Sequence, residues 1–379
     1  MARWHAVNWT RYHSLLHAAA KLGCEIYVLQ PPPMKSSETN FCEIDPVDIP
    51  NIHVREVPVS RGLWNANFPL NKLVKKALFS NACLGMAKRM VAEEEIDAVL
   101  LYNIPQICLS RIRGCVQIFD FADDYVGMLS KELGRVDNRL ARSLASHLVD
   151  SMIQRADLAF AVSHELAREG GAKVMVLPNG VNGEAFEGQV SFPDVIVFNG
   201  DKPVVGFLGA FEYFIDFDVI LHAARQLPNV HFLLVGTGRD WDKVRDIAVA
   251  DDLRNVQLTG GVPHTHVFGY IQRMDICLNI FAPMPVSHKA CPIKLFEYMS
   301  QGKPVISTRL DELRHIDDGF LYYADSGPQL VSAIRDVLEN PGEAARKAQR
   351  GQAIARMEYT WEKIAQVFVD AIDRARKYS

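Results

Sequence analysis

The stretch CPIKLFEYMSQGKPVIST, from Cys291 to Thr308, contains a helix start, a helix end and the beginning of a strand. Pro292 is a residue type that commonly opens helices, and Gly302 is one that commonly ends them. Residues 304–308 then include Val305 and Ile306, which favour a strand. A helix that leads directly into a strand is the repeating unit of a parallel sheet, so this stretch predicts an α/β fold.

The same alternation of short strands and amphipathic helices extends in both directions along the chain. In the second half, strands are predicted at residues 204–209, 231–236, 256–260, 275–281, 304–308 and 320–324. In the first half, they are predicted at residues 25–29, 52–57, 98–102, 115–119, 158–162 and 174–178. Helices are predicted at residues 12–22, 70–93 and 137–155. This order is typical of parallel sheets with helical crossovers.

Two complete strand series predict two Rossmann-like domains with a boundary near residues 180–200, where the turn-rich PNGVNGEAF begins at Pro178. We expect an N-terminal domain at 1–190 and a C-terminal domain at 191–355. Residues 356–379 are expected to form a C-terminal helix that packs back on the N-terminal domain. From residue 342 onward the composition favours helix, and its apolar residues are spaced to share one face: Trp361, Ile364, Phe368 and Ile372.

Composition limits the possible functions of the chain. Its 379 residues are 49% hydrophobic and 23% charged, and the net charge of −4 gives no reason to expect a nucleic-acid partner. The seven scattered cysteines contain no C-x-x-C pair, which favours a reducing compartment over disulfides or zinc. We find no signal peptide or membrane-spanning run, so we expect a cytoplasmic protein, soluble or peripheral at the inner face of the membrane.

The helix that begins near Pro292 is a candidate anion site. A helix N-terminus at the carboxyl edge of a parallel sheet presents unpaired N–H groups and a partial positive charge, which suit a pyrophosphate. Lys294 would add a full charge, and Glu297 could accept hydrogen bonds from ribose hydroxyls. A surface helix with a solvated lysine and glutamate explains the spacing equally well, and the pattern alone does not decide between the two.

The run P-x-K-x-F-E-Y-x-x-x-G-K-P-V-I-S-T, from Pro292, resembles the donor-nucleotide motif of GT-B glycosyltransferases, particularly the GT4-like enzymes of glycosyl transferases group 1. Three further stretches resemble that family in the order that the family has them. They are VLPNGVNGEAF at 176–186, VVGFLGAFEYFIDFDVIL at 204–221, and FLLVGTG followed by VQLTGGVP at 232–238 and 256–263. The resemblance implies an α/β GT-B fold, in which two Rossmann-like domains with parallel sheets face each other across a cleft.

The resemblance also implies an activity: transfer of a sugar from a nucleoside-diphosphate sugar to an acceptor hydroxyl in polysaccharide, glycolipid or glycoconjugate biosynthesis. The enzyme would be hexosyltransferase-like and independent of metal and cofactor. The donor would bind in the C-terminal domain, and a carbohydrate, lipid-linked or small-molecule acceptor in the N-terminal domain. The catalytic candidates are Asp123, Lys294 and Glu297. The implied donor-binding residues are Gly209, Gly236, Gly238, Val262, Pro263, Lys289, Pro292, Ile293, Lys294 and Glu297.

Two departures from the family pattern affect the donor site. The family has paired glutamates eight positions apart; Glu297 matches the second, but Lys289 stands at the first. The usual basic pair after the glycine loop is absent, because the loop continues as Ala210-Phe211-Glu212-Tyr213. Lys294 is therefore expected to be the main cation on the phosphates, with Lys289 as a second.

A cluster of aspartates follows a predicted strand in FDFADDYVGM, residues 119–128. Repulsion among Asp120, Asp123 and Asp124 could raise the pKa of one of them toward that of a general base. Capping of the next helix is the plainer explanation. The stretch resembles inverting GT-B enzymes that use an aspartate to deprotonate the acceptor, which makes Asp123 the candidate base; retaining enzymes need no such base.

Other signals are weaker. The G-x-G at Gly236 lacks the third glycine of a dinucleotide fingerprint, and the D-x-D at Asp216 suits helix capping better than metal binding. The histidine pairs at 13 and 17 and at 264 and 266 lack a third metal ligand nearby, so we expect structural or solvated roles. Aromatic and basic residues at 61–76 suit either an anionic membrane surface or an ordinary helix face. A nucleotide-sugar epimerase and a non-catalytic sugar-binding protein remain as alternatives.

Overall fold

The structure of the protein, a computed structural model, describes Trp4 and residues 9–32, 50–60, 71–127, 139–186 and 201–377, with backbone alone for 71–73. The chain divides into two compact units. The first unit comprises residues 1–178 and 364–379, and the second comprises residues 179–363. The limits of the two domains expected from the sequence remain predictions.

The first unit contains two parallel sheets. Strands β1 (Ile26–Gln30) and β2 (Ile52–Glu56) pair with each other. The other sheet has the order β3-β4-β5-β6, formed by Ala98–Leu101, Val116–Phe121, Leu158–Ala161 and Val174–Val176. All six residues of β4 are buried, as expected for an inner strand.

In the described residues before position 178, four α-helices with described bounds and a 3-10 helix accompany these strands. The α-helices are α1 (Arg11–Lys21), α2 (Asn71–Glu93), α3 (Arg139–Arg155) and α4 (His164–Gly170), and the 3-10 helix is Ile104–Arg111. Thr10 and His13 form a capping box at the start of α1, and the His13 ring stacks on Trp4 at 4.3 Å between ring centres. His13 therefore has a structural role, which is one of the two roles expected for it.

The second unit is built on one six-stranded parallel sheet. Its strands are β7 (Val204–Leu208), β8 (His231–Val235), β9 (Val256–Gly260), β10 (Ile276–Asn279), β11 (Val305–Ser307) and β12 (Tyr322–Tyr323). They lie in the order β9-β8-β7-β10-β11-β12. Numbered within the unit this is 3-2-1-4-5-6, the Rossmann order, in which the strand order reverses between β7 and β10.

Helices lie between the strands of the second unit and follow its last strand. They are α5 (Phe217–Gln226), α6 (Trp241–Ala250), α7 (Val267–Gln272), α8 (Pro285–His288), α9 (Ile293–Ser300), α10 (Gly327–Glu339) and α11 (Pro341–Glu358). The D-x-D signal lies at the start of α5, where the Asp216 carboxylate accepts a hydrogen bond of 3.1 Å from the Val219 N–H. Helix capping, the preferred explanation of that signal, is confirmed for Asp216.

The C-terminal segment differs from the sequence-based prediction, because two helices replace a single one. Helix α11 ends at Glu358, Thr360 pairs with Val181 in an isolated bridge, and α12 spans Trp361–Arg376. The backbone N–H groups of Val181 and Trp361 hold the chain at this interruption through bonds of 2.9 and 3.0 Å. No glycine or proline stands at residues 358–361, so no local signal marked the break.

Residues 364–379 belong to the first unit, where α12 completes the core. The rings of Phe160 in β5 and Phe368 in α12 lie 5.6 Å apart. Arg376 forms a 2.7 Å ion pair with Asp97, just before β3. Of the four residues predicted to share one apolar face, Trp361, Ile364 and Phe368 are buried and Ile372 is half-buried.

All twelve strands of the described chain lie where the sequence predicts them, with ends that differ by at most two residues. Among the helices that the structure describes, none is long and apolar enough to cross a membrane. Two predicted features lie outside the described residues: most of the 61–76 stretch and residues 187–200 of the expected linker.

Candidate functional site

The carboxyl edge of the second unit's sheet brings Lys294 to the point where the strand order reverses. The Lys294 Nζ atom lies 4.1 Å from the ring centre of Phe207 in β7 and 5.4 Å from that of Phe281, just after β10. In open α/β sheets, ligands bind in the crevice at this switch point, outside the carboxyl ends of the strands. The lysine therefore stands where a nucleotide phosphate is expected to bind.

Gly209 makes room for this lysine. A Cβ atom added at Gly209 would lie 2.9 Å from Lys294 Nζ, and the backbone φ of +141° disfavours any side chain there. The glycine loop after β7 thus permits the ammonium group to reach the sheet edge. This contact links two of the predicted donor-site residues directly.

The other predicted glycines lock neighbouring loops together. A Cβ atom at Gly236, which follows β8, would lie 1.9 Å from the carbonyl oxygen of Gly209. At Gly238 it would lie 2.4 Å from the carbonyl oxygen of Phe211. The Phe211 N–H also donates a 3.0 Å bond to Thr237. The loops after β7 and β8 therefore form one rigid edge, which only glycine allows to pack this closely.

The charge of Lys294 is poorly accommodated in the ligand-free protein. Burial lowers the pKa of its ammonium group to about 7, although Glu297 opposes this shift. Lys294 is also the second residue of α9, and a cation at the positive end of a helix dipole is unfavourable. In the part of the chain that the structure describes, no carboxylate forms an ion pair with it. A bound diphosphate would relieve both costs, so the position is a candidate anion site.

Glu297 lies one turn along α9 and is only 7% exposed. Burial raises the pKa of its carboxyl group to about 7, and Lys294 lowers it in part. His264, in the loop after β9, places its Nε2 atom 4.0 Å from Glu297 Oε1. The sequence indicated a structural or solvated role for His264; the structure brings it instead to the candidate donor site.

Two residues that the sequence analysis did not single out position α9. The Asn179 side chain donates a 2.6 Å bond to the carbonyl oxygen of Cys291, which precedes the helix. The Tyr298 hydroxyl accepts a 2.8 Å bond from the Leu208 N–H at the end of β7. Both are buried, and both join segments that are far apart in the sequence. Only the P-N-G run gave a signal for Asn179, and that run was interpreted as a turn.

The remaining predicted donor residues border the same helix or the loop after β9. Pro292 is the N-cap residue of α9 and Ile293 is its first residue. Val262 and Pro263 lead into the 3-10 helix His264–His266. Lys289 is half-buried just after the short helix α8. Their roles as donor ligands remain predictions.

The loop after β7 has a cation beside it, although it lacks the family's basic pair. Arg239, which follows Gly238, places its Nε atom 3.0 Å from Oε2 of Glu212. Its guanidinium carbon lies 5.9 Å from the ring centre of Tyr213. Sequence spacing did not reveal this contact, because Arg239 and Glu212 belong to different loops.

In the first unit, the three aspartates of the predicted cluster have different surroundings. Asp120, at the end of β4, forms a buried ion pair with Arg11 at 2.8 Å between Oδ2 and Nε. Arg11 also donates to the carbonyl oxygens of Leu177 and Pro178 at 2.7 and 2.8 Å. Asp124 accepts a 3.0 Å bond from the Gly127 N–H and so caps the helical turn at 125–127. Two of the three carboxylates thus have structural roles.

Asp123 differs from its neighbours because it is exposed. Within the described chain, its carboxylate forms no hydrogen bond or ion pair. The protein packed around it displaces water, and this desolvation, followed by repulsion from Asp120, raises the pKa of its carboxyl group to about 6. A carboxylate with a raised pKa and solvent access meets the requirements for a general base.

Comparisons with known proteins agree with this arrangement. A family model described as "Glycosyl transferase-like" matches residues 218–370. The "Putative teichuronic acid biosynthesis glycosyltransferase TuaH" of Bacillus subtilis is 31% identical over 220 residues, which cover 55% of this chain and 54% of that protein. The chain spans about half the length of the curated relatives it matches first.

Solved structures share the fold across most of the chain. Sucrose-phosphate synthase from Thermosynechococcus elongatus superposes with a TM-score of 0.74 at 15% identity, covering 96% of this chain and 92% of that one. HepE from Anabaena, solved with UDP and glucose, superposes with a TM-score of 0.63 at 16% identity, covering 85% of this chain and 86% of that one. The sheet order and these superpositions show that the chain has the GT-B fold, and its residues 218–370, which include the donor-motif helix, match a glycosyl transferase-like family model.

Proposed function

We propose that the protein transfers a sugar from a nucleoside-diphosphate sugar to an acceptor hydroxyl in the biosynthesis of a glycan. The observation that carries the proposal is the position of Lys294 at the switch point of the second unit, against Phe207 and Phe281. Glu297, one turn further along α9, is the partner for ribose hydroxyls. The match to a glycosyl transferase-like family model favours sugar transfer over an epimerase or a binding protein that lacks catalysis.

The proposed donor is a UDP-sugar, and UDP-glucose is the first compound to test. The support comes from the fold, because HepE was solved with UDP, with UDP and glucose, and with UDP-glucose. The glycan role is supported by relatives whose names refer to teichuronic acid and to lipopolysaccharide core biosynthesis. The acceptor is therefore proposed to be a carbohydrate or a lipid-linked carbohydrate.

In the proposed reaction, the bond between the sugar's anomeric carbon and the diphosphate breaks while the acceptor oxygen bonds to that carbon. The N–H groups at the start of α9 and the ammonium group of Lys294 stabilise the charge that develops on the leaving diphosphate. Because these groups supply positive charge, the proposed mechanism needs no metal ion. The Glu297 carboxylate orients the nucleotide by accepting hydrogen bonds.

Asp123 is the proposed base. Its carboxylate takes the proton of the acceptor hydroxyl as the new bond forms, and solvent access allows it to release that proton afterwards. A base in this role goes with inversion at the anomeric carbon. Retention of configuration in the product would assign Asp123 to acceptor binding instead.

Release of UDP from UDP-glucose, measured with and without a mixture of glycan acceptors, tests the proposal. We expect release to rise at least tenfold when acceptor is present, and to be lost in Lys294→Met. Conversion of the donor into a sugar epimer without acceptor would identify an epimerase. Binding of UDP-glucose without UDP release under any acceptor would overturn the transferase assignment.

We also propose a cytoplasmic location with peripheral contact to the inner face of the membrane. None of the six cysteines that the structure describes forms a disulfide, which supports a reducing compartment. In the described part of the basic stretch, Lys75 and Lys76 accompany exposed Val74 and Leu78 on α2. Flotation with anionic liposomes should carry the protein upward. Recovery only in the soluble fraction would contradict membrane contact.

A further inference from the structure

Three tyrosines converge at the carboxyl edge of the first unit's four-stranded sheet. Tyr102 follows β3 directly, Tyr125 lies four residues beyond β4, and Tyr12 is in α1. The rings of Tyr12 and Tyr102 lie 4.1 Å apart, and the Tyr125 hydroxyl donates a hydrogen bond to the Tyr102 carbonyl oxygen. Asp123, two residues before Tyr125, belongs to the same edge. Tyr12 and Tyr125 lie near enough to the proposed base to be influenced by its charge, and Tyr102 packs against Tyr12.

Tyr102 is partly exposed at this edge. The residue as a whole is 38% exposed. Tyr12 packs against its ring, and the Tyr125 hydroxyl donates a hydrogen bond to its backbone carbonyl oxygen. An aromatic ring that is held by its neighbours loses little conformational freedom when a ligand packs on it. Tyr102 is thus a preformed platform rather than a mobile surface side chain.

Tyr12 connects the tyrosines to the carboxylates of this edge. Burial raises the pKa of Tyr125, and a hydrogen bond with the Tyr12 hydroxyl opposes this rise. Burial, followed by the charge of Asp120, raises the pKa of Tyr12, and the charge of Asp123 adds to the rise. Tyr12 and Tyr125 therefore lie near Asp123 as neutral phenols.

The carboxylates leave one position open for a ligand. Asp120 is neutralised by Arg11, and Asp124 caps the turn at 125–127, so their oxygens are occupied. Among the three aspartates of this edge, Asp123 is the one whose carboxylate can still accept hydrogen bonds from a ligand. The edge therefore combines an apolar ring surface with one carboxylate. This combination matches a pyranose, which has an apolar C–H face and an edge of hydroxyl groups.

We propose that Tyr102 and Asp123 form the acceptor subsite, in which a pyranose ring lies on the Tyr102 ring and directs a hydroxyl group to the Asp123 carboxylate. The inference rests on the proposed transferase function and adds to it the residues that select the acceptor. A linear polyol has no flat face to pack on Tyr102, and a serine side chain has too little apolar surface. The subsite thus selects a cyclic sugar as acceptor.

Saturation-transfer NMR on the full-length protein with UDP present tests the inference, with a panel of methyl hexopyranosides, glycerol and a serine-containing peptide as probes. We expect signals for at least one glycoside and none for glycerol or the peptide. Tyr102→Ala should weaken the glycoside signal at least fivefold, whereas Tyr102→Phe, which keeps the ring, should preserve it. Met175→Ala, at an exposed position in β6, is the control and should change nothing. If Tyr102→Ala does not fold, Tyr102→Leu provides the same comparison without a ring.

The affinity for UDP distinguishes a failure of the acceptor inference from a failure of the proposed function. It should be equal in the wild type and in all Tyr102 variants, because the nucleotide site lies in the second unit. If UDP binds but no glycoside does, or if Tyr102→Ala and Tyr102→Leu retain the full glycoside signal, the acceptor inference is wrong and the proposed function stands. Equal signals from glycerol would also overturn it. Failure of every nucleoside diphosphate to bind would overturn the proposed function itself.

Discussion

Burial lowers the pKa of Lys294 and raises the pKa of Glu297, because it disfavours both a positive and a negative charge. The two residues are three positions apart on α9, so they share one face of the helix. A nucleotide would supply what each lacks: phosphate charge for the lysine and ribose hydroxyls for the glutamate. A bound nucleotide is therefore expected to favour the charged forms of both residues.

The affinity for UDP-glucose should be greatest near pH 7. Below that value Glu297 takes up a proton and accepts fewer hydrogen bonds; above it Lys294 loses its charge. UDP-glucose is the suitable probe because its phosphates do not titrate in this range. Calorimetric titrations from pH 5.5 to 8.5 should show the maximum, and Glu297→Gln should flatten the acidic side. An unchanged acidic side in that variant would exclude Glu297 from the site.

Asp123 should determine the acidic limb of the pH–rate profile of the transfer reaction. With its pKa raised to about 6, the carboxyl group is protonated at lower pH and cannot act as a base, so turnover should fall as the pH drops through about 6. Asp123→Asn should lower turnover roughly 100-fold or more and leave the affinity for UDP unchanged. Asp120→Asn should move the limb to lower pH, because it removes a repelling charge. A limb that is unchanged in both variants would contradict this role.

The sequence predicted Lys294 and Glu297 because their spacing and the resemblance of their motif are local properties. It did not predict Phe207, Phe281 or Asn179 as parts of the site, since these residues come from distant segments. The roles of the clustered aspartates were likewise not predictable from the local sequence. Spacing alone could not distinguish Asp123 from Asp120, because the distinction depends on Arg11, which is more than a hundred residues away.

At the scale of the elements, the start of α5 allows a matched test of the D-x-D sequence. Asp216→Ala removes the cap on Val219 and should lower the free energy of unfolding by about 1 kcal/mol. Asp218→Ala should change it by less than about 0.5 kcal/mol, because Asp218 is exposed and its ion pair with Lys243 spans 3.5 Å. Chemical denaturation measures both. A clear rise in the melting temperature with Mn²⁺, lost in either variant, would favour a metal site instead.

Strands and helices were predictable because their signals are short and periodic. In the second unit, β7 and β8 are each followed by a glycine and β9 ends at one, and short runs of strand-favouring residues placed all six strands within two positions. The break between α11 and α12 was not predictable. It depends on the bridge between Thr360 and Val181, a contact across the sequence that no local pattern encodes.

At the scale of the whole molecule, the C-terminal helix α12 should be required for the stability of the first unit. Phe368 is 4% exposed against Phe160, whereas its neighbour Val367 is 51% exposed. Phe368→Ala should lower the free energy of unfolding by about 3–5 kcal/mol, and Val367→Ala by less than about 0.5 kcal/mol. Denaturation followed by tryptophan fluorescence compares the two. Equal effects would contradict the packing of α12 in the first unit.

The α/β class and the presence of parallel sheets followed from the alternation of strands and helices along the chain. The order of the strands did not, because pairing in a sheet joins segments that no local signal connects. That order decides where the candidate site lies: the reversal between β7 and β10 defines the switch point at which Lys294 stands. The resemblance to the family supplied the expected place of the donor, and the strand order gives its physical reason.

Titration calorimetry of UDP and uridine against the wild type, Lys294→Met and Lys202→Met at pH 7 tests the central claim most directly. A hydrogen bond to a charged group contributes about 1.5–3 kcal/mol, so Lys294→Met should bind UDP roughly 10 to 100 times more weakly. Uridine should bind Lys294→Met and the wild type with equal affinity. Lys202 is exposed, so Lys202→Met should match the wild type for both ligands. Equal affinity of the wild type and Lys294→Met for UDP would show that the diphosphate does not lie at the start of α9.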